Sequence, residues 1–233
     1  MCTTYHPAYL PKSLCDRLLQ ESSSWFANHE RKVAMFGHRI PRDEMVVFFD
    51  SSGGDGAGGQ QPSEMVYTYR SKNMQDATRA MPVMRPTPLL IELRESAKTL
   101  AASRPSEFTD CNMLVINRYM NGNDSVGYHS DDEPRIQRRS QIISFTVNGT
   151  GGERTFRYRA KDAPPRQRAK ALKLENGSAL VMHAGMQETH VHGVPKEPKV
   201  TGMRLNFTFR TVAKEVDEDK KKEVVQSTSD DIV

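Results

Sequence analysis

The seven residues Arg204-Leu205-Asn206-Phe207-Thr208-Phe209-Arg210 alternate without a break between polar and apolar side chains. A period of two belongs to an extended strand, whose successive side chains point to opposite faces. Leu205, Phe207 and Phe209 must then lie on a core, and Arg204, Asn206, Thr208 and Arg210 must face something polar. An edge strand with a solvated face is the plain reading of such a pattern, but this face carries two arginines and neither lysine nor acid. Six residues of strand span about 20 Å, so two arginine side chains leaning inward can approach both ends of a small diacid. The guanidinium fork matches carboxylate geometry better than an ammonium does.

The rest of the chain supplies partners for such a strand. Residues 142–147 form an extended run, 148–152 (Asn-Gly-Thr-Gly-Gly) a turn, and 154–159 an alternating run expected to pair back as a hairpin. Residues 113–119, 171–174, 179–182 and 203–210 complete a set of short strands, with 45–49 and 65–69 as further extended stretches. Two helices precede most of them. One spans 11–25, with Pro11 in its first turn and Leu14, Leu18, Leu19 and Trp25 recurring at helical spacing. The other spans 87–100, capped by Thr87, with Leu89, Leu90, Leu93, Ala97 and Leu100 on one face. The expected class is α+β, an antiparallel sandwich or barrel with helices gathered N-terminal to it. Residues 51–62 read as a flexible Gly-rich loop, and the charged stretch from about Lys214 as a disordered tail. The expected domain is therefore 1–212, with a tail at 213–233.

Composition narrows the classes. At 233 residues the chain is long enough for a sizeable core. No apolar run reaches about 18 residues and no secretory pattern opens the chain, so no membrane association is expected. Cys2, Cys15 and Cys111 form neither a CxxC pair nor a zinc pattern, which suits a reducing, intracellular setting, with the nucleus as the expected compartment. The net charge of +4 matters less than its distribution: Arg154, Arg157, Arg159, Lys161, Arg166, Arg168 and Lys170 gather in one segment. They suit phosphate contacts, or equally a solvated basic loop.

His129-Ser130-Asp131 carries the chemistry. Two ligands two apart on an extended segment point the same way and can reach one metal. A third must come from elsewhere, and His183, His190 and His192 are all candidates. Two histidines and a carboxylate leave three coordination positions open, which suits non-haem Fe(II).

Together these residues resemble the AlkB family of Fe(II)/2-oxoglutarate dioxygenases, whose pattern is His-x-Asp, a distal His, then Arg-x-Asn-x-x-x-Arg. The resemblance runs from about Tyr5 to Arg210. Asn117-Arg118-Tyr119 and His129-Ser130-Asp131-Asp132-Glu133 are similar to the subgroup that repairs alkylated nucleic acid. The resemblance implies a jelly-roll core (a double-stranded β-helix) with a nucleotide-recognition lid at about 33–80. It implies His129, Asp131 and His192 as iron ligands and catalytic centre. Arg204 and Arg210 would bind 2-oxoglutarate, with Asn117, Tyr119, Asn206 and Thr208 lining its pocket. Fe(II), 2-oxoglutarate and O₂ would together oxidise an N-methyl group on 1-methyladenine or 3-methylcytosine in DNA or RNA, releasing formaldehyde and succinate. A monomer is expected.

For the substrate, the resemblance implies stacking of a flipped base by Tyr67 and Tyr69, contact from Glu133, and roles for Arg42 of the Pro-Arg pair and for Phe36 as a finger residue. The spacing from Phe36 to Pro41 is shorter than in duplex-repairing members. Three other readings compete: an oxygenase acting on protein or a small molecule, a non-enzymatic jelly roll that binds nucleic acid, and a zinc protein. The tyrosine pair, the Asp-Asp-Glu run and the basic loop favour nucleic acid over the first. The intact ligand and clamp set disfavours the second. The absence of a cysteine cluster disfavours the third.

Overall fold

The computed structural model describes residues 2–27, 42–49, 66–70, 78–107, 109–164 and 166–212, with backbone alone for 66–70 and 78–82. Its elements run β1 (Thr3–His6), α1 (Lys12–Trp25), β2 (Asp43–Phe48), β3 (Val66–Arg70), β4 (Thr78–Met84), α2 (Pro88–Ala101), β5 (Met113–Tyr119) and β6 (Val126–His129). There follow β7 (Ile142–Asn148), β8 (Arg154–Ala160), β9 (Lys170–Leu174), β10 (Ala179–Met182), α3 (Met186–Thr189), β11 (His190–Val194) and β12 (Arg204–Arg210). They form an eight-stranded sheet in the order β1-β10-β7-β12-β5-β2-β4-β3 and a four-stranded sheet in the order β6-β11-β8-β9. The α+β class and the jelly-roll core are those expected.

β12 lies in the middle of the larger sheet, antiparallel to β5 and β7. Both of its faces are covered. Leu205, Phe207 and Phe209 are wholly buried in one apolar cluster with Leu14, Leu18 and Trp25 of α1 and Leu89, Leu90 and Leu93 of α2. The Trp25 ring meets Phe207 edge-on at 6.2 Å. Helical spacing on α1 and α2 and the period of two on β5, β7 and β12 thus converge on one core between the helices and the sheet. α2 begins as its sequence demands: Leu90 N donates to Thr87 Oγ1 at 3.4 Å, and Pro88 sits in the first turn.

The opposite face of β12 turns toward the small sheet, and Arg204 is only 2% exposed. A solvated edge strand is thereby ruled out. Between the sheets a second apolar cluster (Ile142, Phe156, Tyr158, Leu174, Leu180, Met182, Met186) fills one part, and the remainder is a polar cavity.

Three features depart from the sequence expectations. First, 142–147 and 154–159 do not form a hairpin: β7 pairs with β10 and β12, whereas β8 pairs with β9 and β11. The glycine-rich segment between them crosses from one sheet to the other against residue 203. Gly149 N donates to Met203 O at 2.8 Å, and a Cβ on Gly152 would lie 2.0 Å from that oxygen, so glycine is required by close approach. Second, β2 and β4 pair in parallel. Third, β1, β4 and β6 add strands at 3–6, 78–84 and 126–129, and α3 a short helix at 186–189, that the pattern reading omitted. Residues 213–233, most of the expected lid at 33–80, and the Gly-rich stretch at 51–62 lie outside the described residues.

Candidate metal and diacid site

β6 and β11 pair so that His192 stands opposite His129, and His192 in turn faces Tyr158 on β8. Opposed residues share a face, so both imidazoles project into the cavity, with ring centroids 4.4 Å apart. Just beyond β6 the chain is pinned onto β11 and α3: Ser130 Oγ donates to His190 O at 3.0 Å, and Asp131 N donates to Gln187 Oε1 at 3.0 Å. This turns the Asp131 carboxylate toward the histidines. Its Oδ1 is 3.5 Å from His129 Nε2 and its Oδ2 is 3.9 Å from His192 Nε2. Ligand atoms of all three lie within 4.8 Å of one another, and the set can hold one metal ion.

The protonation states suit that. His129 Nδ1 lies 2.9 Å from Gly127 O. A proton donated there leaves Nε2 with its lone pair toward the cavity. Burial, and then the neighbouring His129, push the His192 imidazole down to about 3, so it is neutral at physiological pH. Burial works against the Asp131 carboxylate, but the Arg210 guanidinium beside it, with the two histidines, holds its pKa well below the usual range. Phe156 stacks on His192 at 5.4 Å and fixes the ring plane.

The cavity encloses about 360 Å³, within the range of small-ligand pockets. Arg42, Glu44, Asp131, Glu133, Arg204 and Arg210 all line it. Arg210 donates to Asp131 Oδ1 at 2.7 Å and approaches Glu133 Oε1 at 3.4 Å. Arg42 is paired with Glu44 and donates to Asn117 Oδ1 at 3.0 Å. Arg204 differs. It donates from Nη2 to Thr146 Oγ1 at 3.0 Å, but its Nε and Nη1 are buried with no acceptor, and it makes no salt bridge among the described residues. Burial lowers its pKa to about 10, which leaves it charged. Two buried donors of a cation without an acceptor are costly, and an anion in the cavity would relieve part of that cost.

Each residue singled out in the sequence can now be located. His129, Asp131 and His192 come together. His190 does not join them: its Nδ1 meets Thr189 Oγ1 at 2.8 Å. His183 lies apart, 2.7 Å from Thr4 Oγ1 and 3.5 Å from Glu107. Asn117, Tyr119, Asn206, Thr208, Glu133 and Arg42 all line the cavity. Thr208 Oγ1 donates to Asn206 Oδ1 at 3.1 Å, and Asn206 Nδ2 donates to Ser144 Oγ at 2.7 Å. Of Tyr67 and Tyr69 only the strand pairing is described, opposite Met81 and Arg79. Their side chains, and Phe36 altogether, lie outside the described residues. Arg154 must be removed from the phosphate-contact set, because it is wholly buried and points inward with Phe156 and Tyr158. Arg157, Lys161, Arg166, Arg168 and Lys170 are exposed as expected, whereas Arg159 is half-buried over the Tyr128 ring. The sequence reading missed Glu44, Thr146 and Ser144. Only the strand register reveals them: Glu44, Asn117, Asn206 and Thr146 form one row across four strands, and Ser144 stands opposite Thr208. Gln187 had no such signal.

Residues 3–210 match the model of the 2OG-Fe(II) oxygenase superfamily. The chain is 35% identical over 156 residues to human alpha-ketoglutarate-dependent dioxygenase alkB homolog 3, covering 64% of this chain and 49% of that protein. It is 27% identical over 203 residues to mouse DNA oxidative demethylase ALKBH2, covering 84% and 73%. It thus spans about half the length of the first of these relatives. Among solved structures it is similar to that titled OsALKBH1 (TM-score 0.51, 18% identity, 90% of this chain and 98% of the other). It is also similar to a Pseudomonas putida prolyl-4-hydroxylase (TM-score 0.53, 13% identity, 90% and 93%). At such identities these two matches speak to the fold alone.

Proposed function

The chain belongs to the 2OG-Fe(II) oxygenase superfamily and, within it, to the AlkB family; from that premise we propose that it is an oxidative demethylase of N-alkylated bases in DNA or RNA. The observation that carries this is one cavity with a histidine–aspartate–histidine cluster and, along the same wall, a buried arginine with two donors lacking acceptors. The donor set fits Fe(II), and the arginine fits the far carboxylate of 2-oxoglutarate.

In this reading His129, Asp131 and His192 would hold the iron. Arg204, steadied by Thr146, anchors the diacid at the end away from the metal. Arg210, beside Asp131, takes the near end. Phe156, Val126 and Val194 exclude water. When bound, iron with 2-oxoglutarate and O₂ supplies hydroxylation of an N-methyl carbon, and the N-hydroxymethyl product releases formaldehyde. The names of the relatives support nucleic acid as the substrate. The exposed Arg157, Arg166, Arg168 and Lys170 suit its phosphates. The acids Glu44 and Glu133 suit bases such as 1-methyladenine and 3-methylcytosine, which are cationic.

The test is formaldehyde release from oligonucleotides bearing either lesion, with Fe(II), ascorbate and 2-oxoglutarate, on single-stranded DNA, duplex DNA and RNA side by side. Inactivity on all three sinks the assignment.

A further inference from the structure

Arg154 stands at the start of β8, wholly buried, and its guanidinium ties three segments together. It donates to Asn121 O (3.0 Å) and Asp124 O (2.8 Å) in the β5–β6 connection, to Pro195 O in the β11–β12 connection, and to Glu197 Oε2 (3.2 Å). Glu197 also accepts from Thr155 N at 2.8 Å and from Thr155 Oγ1 at 2.7 Å. The two connections touch directly: Gly122 N donates to Val200 O at 2.7 Å and Glu197 N to Gly122 O at 2.8 Å.

This knot sits where β5 ends and β12 begins, at the pair Tyr119 and Arg204. The Tyr119 ring carries two guanidiniums, Arg204 at 5.1 Å and Arg154 at 5.6 Å from its centroid. Two buried cations facing one ring repel each other. Among the described residues the only carboxylate in contact with either is that of Glu197, on Arg154. Arg154 is held against that repulsion by its own acceptors, the three carbonyls and Glu197. With Arg154 fully partnered, the donors left for an anion at this end of the cavity are those of Arg204.

We propose that Arg154 is a positioning residue for the far carboxylate of the diacid: it fixes Tyr119 and the two connections so that Arg204 is held in its binding pose. The proposal rests on the clamp reading given above. It predicts an effect confined to one end of the ligand. Oxalate, which can chelate a metal but has no far carboxylate, should be insensitive to Arg154. N-oxalylglycine, which has both ends, should be sensitive.

The experiment is calorimetric titration of Mn(II)-loaded protein with each ligand, for wild type, Arg154→Lys and Glu197→Gln. The lysine keeps the charge but loses the fork, and Glu197→Gln loosens Arg154 while leaving it in place. Expected are N-oxalylglycine Kd values raised about tenfold in both variants, with oxalate Kd unchanged. Unchanged N-oxalylglycine binding in both variants overturns the proposal. So does an equal loss of both ligands in Arg154→Lys together with no difference between them in Glu197→Gln, since Arg154 then only holds the fold. Wild-type protein that binds neither ligand on Mn(II) overturns the clamp reading itself, and this proposal with it.

Discussion

Arg210 Nη2 lies 2.7 Å from Asp131 Oδ1, so the residue next to the metal cluster is also the counter-ion of one of its acids. Arg204, six residues earlier on the same strand face, has no such partner among the described residues. The two arginines should therefore respond in opposite ways to truncation. Arg210→Met leaves buried Asp131 and Glu133 without their cation and should cost about 3–5 kcal/mol of stability. Arg204→Met removes an unsatisfied buried charge and should leave the thermal midpoint unchanged or raised, while weakening N-oxalylglycine binding about 10- to 100-fold. Thermal denaturation and calorimetry check both, and equal destabilisation by the two variants would contradict the contrast.

His190 and His192 offer a sharper comparison, because they share a face of β11 and only His192 opposes His129. His192→Gln should abolish Mn(II) binding measured by EPR titration. His190→Gln should bind Mn(II) like wild type, and the reverse outcome would reassign the third ligand.

The thiols should separate cleanly. Cys15 and Cys111 are buried in the core, and burial pushes the Cys111 thiol up to about 12. A thiol with a raised pKa stays protonated, and hence unreactive, at all pH values well below it. At pH 8 a disulfide reagent such as DTNB should label Cys2 in the native protein, and Cys15 and Cys111 only after denaturation. Rapid labelling of three native thiols would refute the placement of Cys111.

Phe207→Ala should destabilise the protein by about 3–5 kcal/mol in urea unfolding, since the ring is wholly buried against Trp25. The metal cluster lies on the other face of β12, so Mn(II) affinity of the folded variant should match wild type.

Legibility from sequence followed the physics of each signal. β12, α1 and α2 were readable because their periodicities are long and regular, whereas the four residues of α3 are too few to show one. Pairing partners were not readable, because strand pairing is decided by tertiary contacts: the glycine turn at 148–152 looks like a hairpin, yet it packs against Met203 and leads to the other sheet. β4 escaped because it carries Pro82, which argues against a strand yet sits here opposite Val66. The third metal ligand could not be chosen by period alone, since His190 and His192 have the same parity. Arg154 was misread as a surface charge, although its parity with Phe156 and Tyr158 already pointed inward.

β12 is the last strand in the described chain, yet it occupies the middle of the large sheet, between β5 and β7. Until Arg204–Arg210 has been synthesised and inserted, β5 and β7 each present an open edge, which is a template for association with other chains. Folding must wait for contacts between segments far apart in sequence, a slow kind of closure. A ribosome-bound or truncated chain ending before Arg204 should therefore depend on chaperones and aggregate readily. The same insertion that completes the sheet delivers both arginines to the cavity, so a chain that has closed its sheet has also assembled that wall of its site.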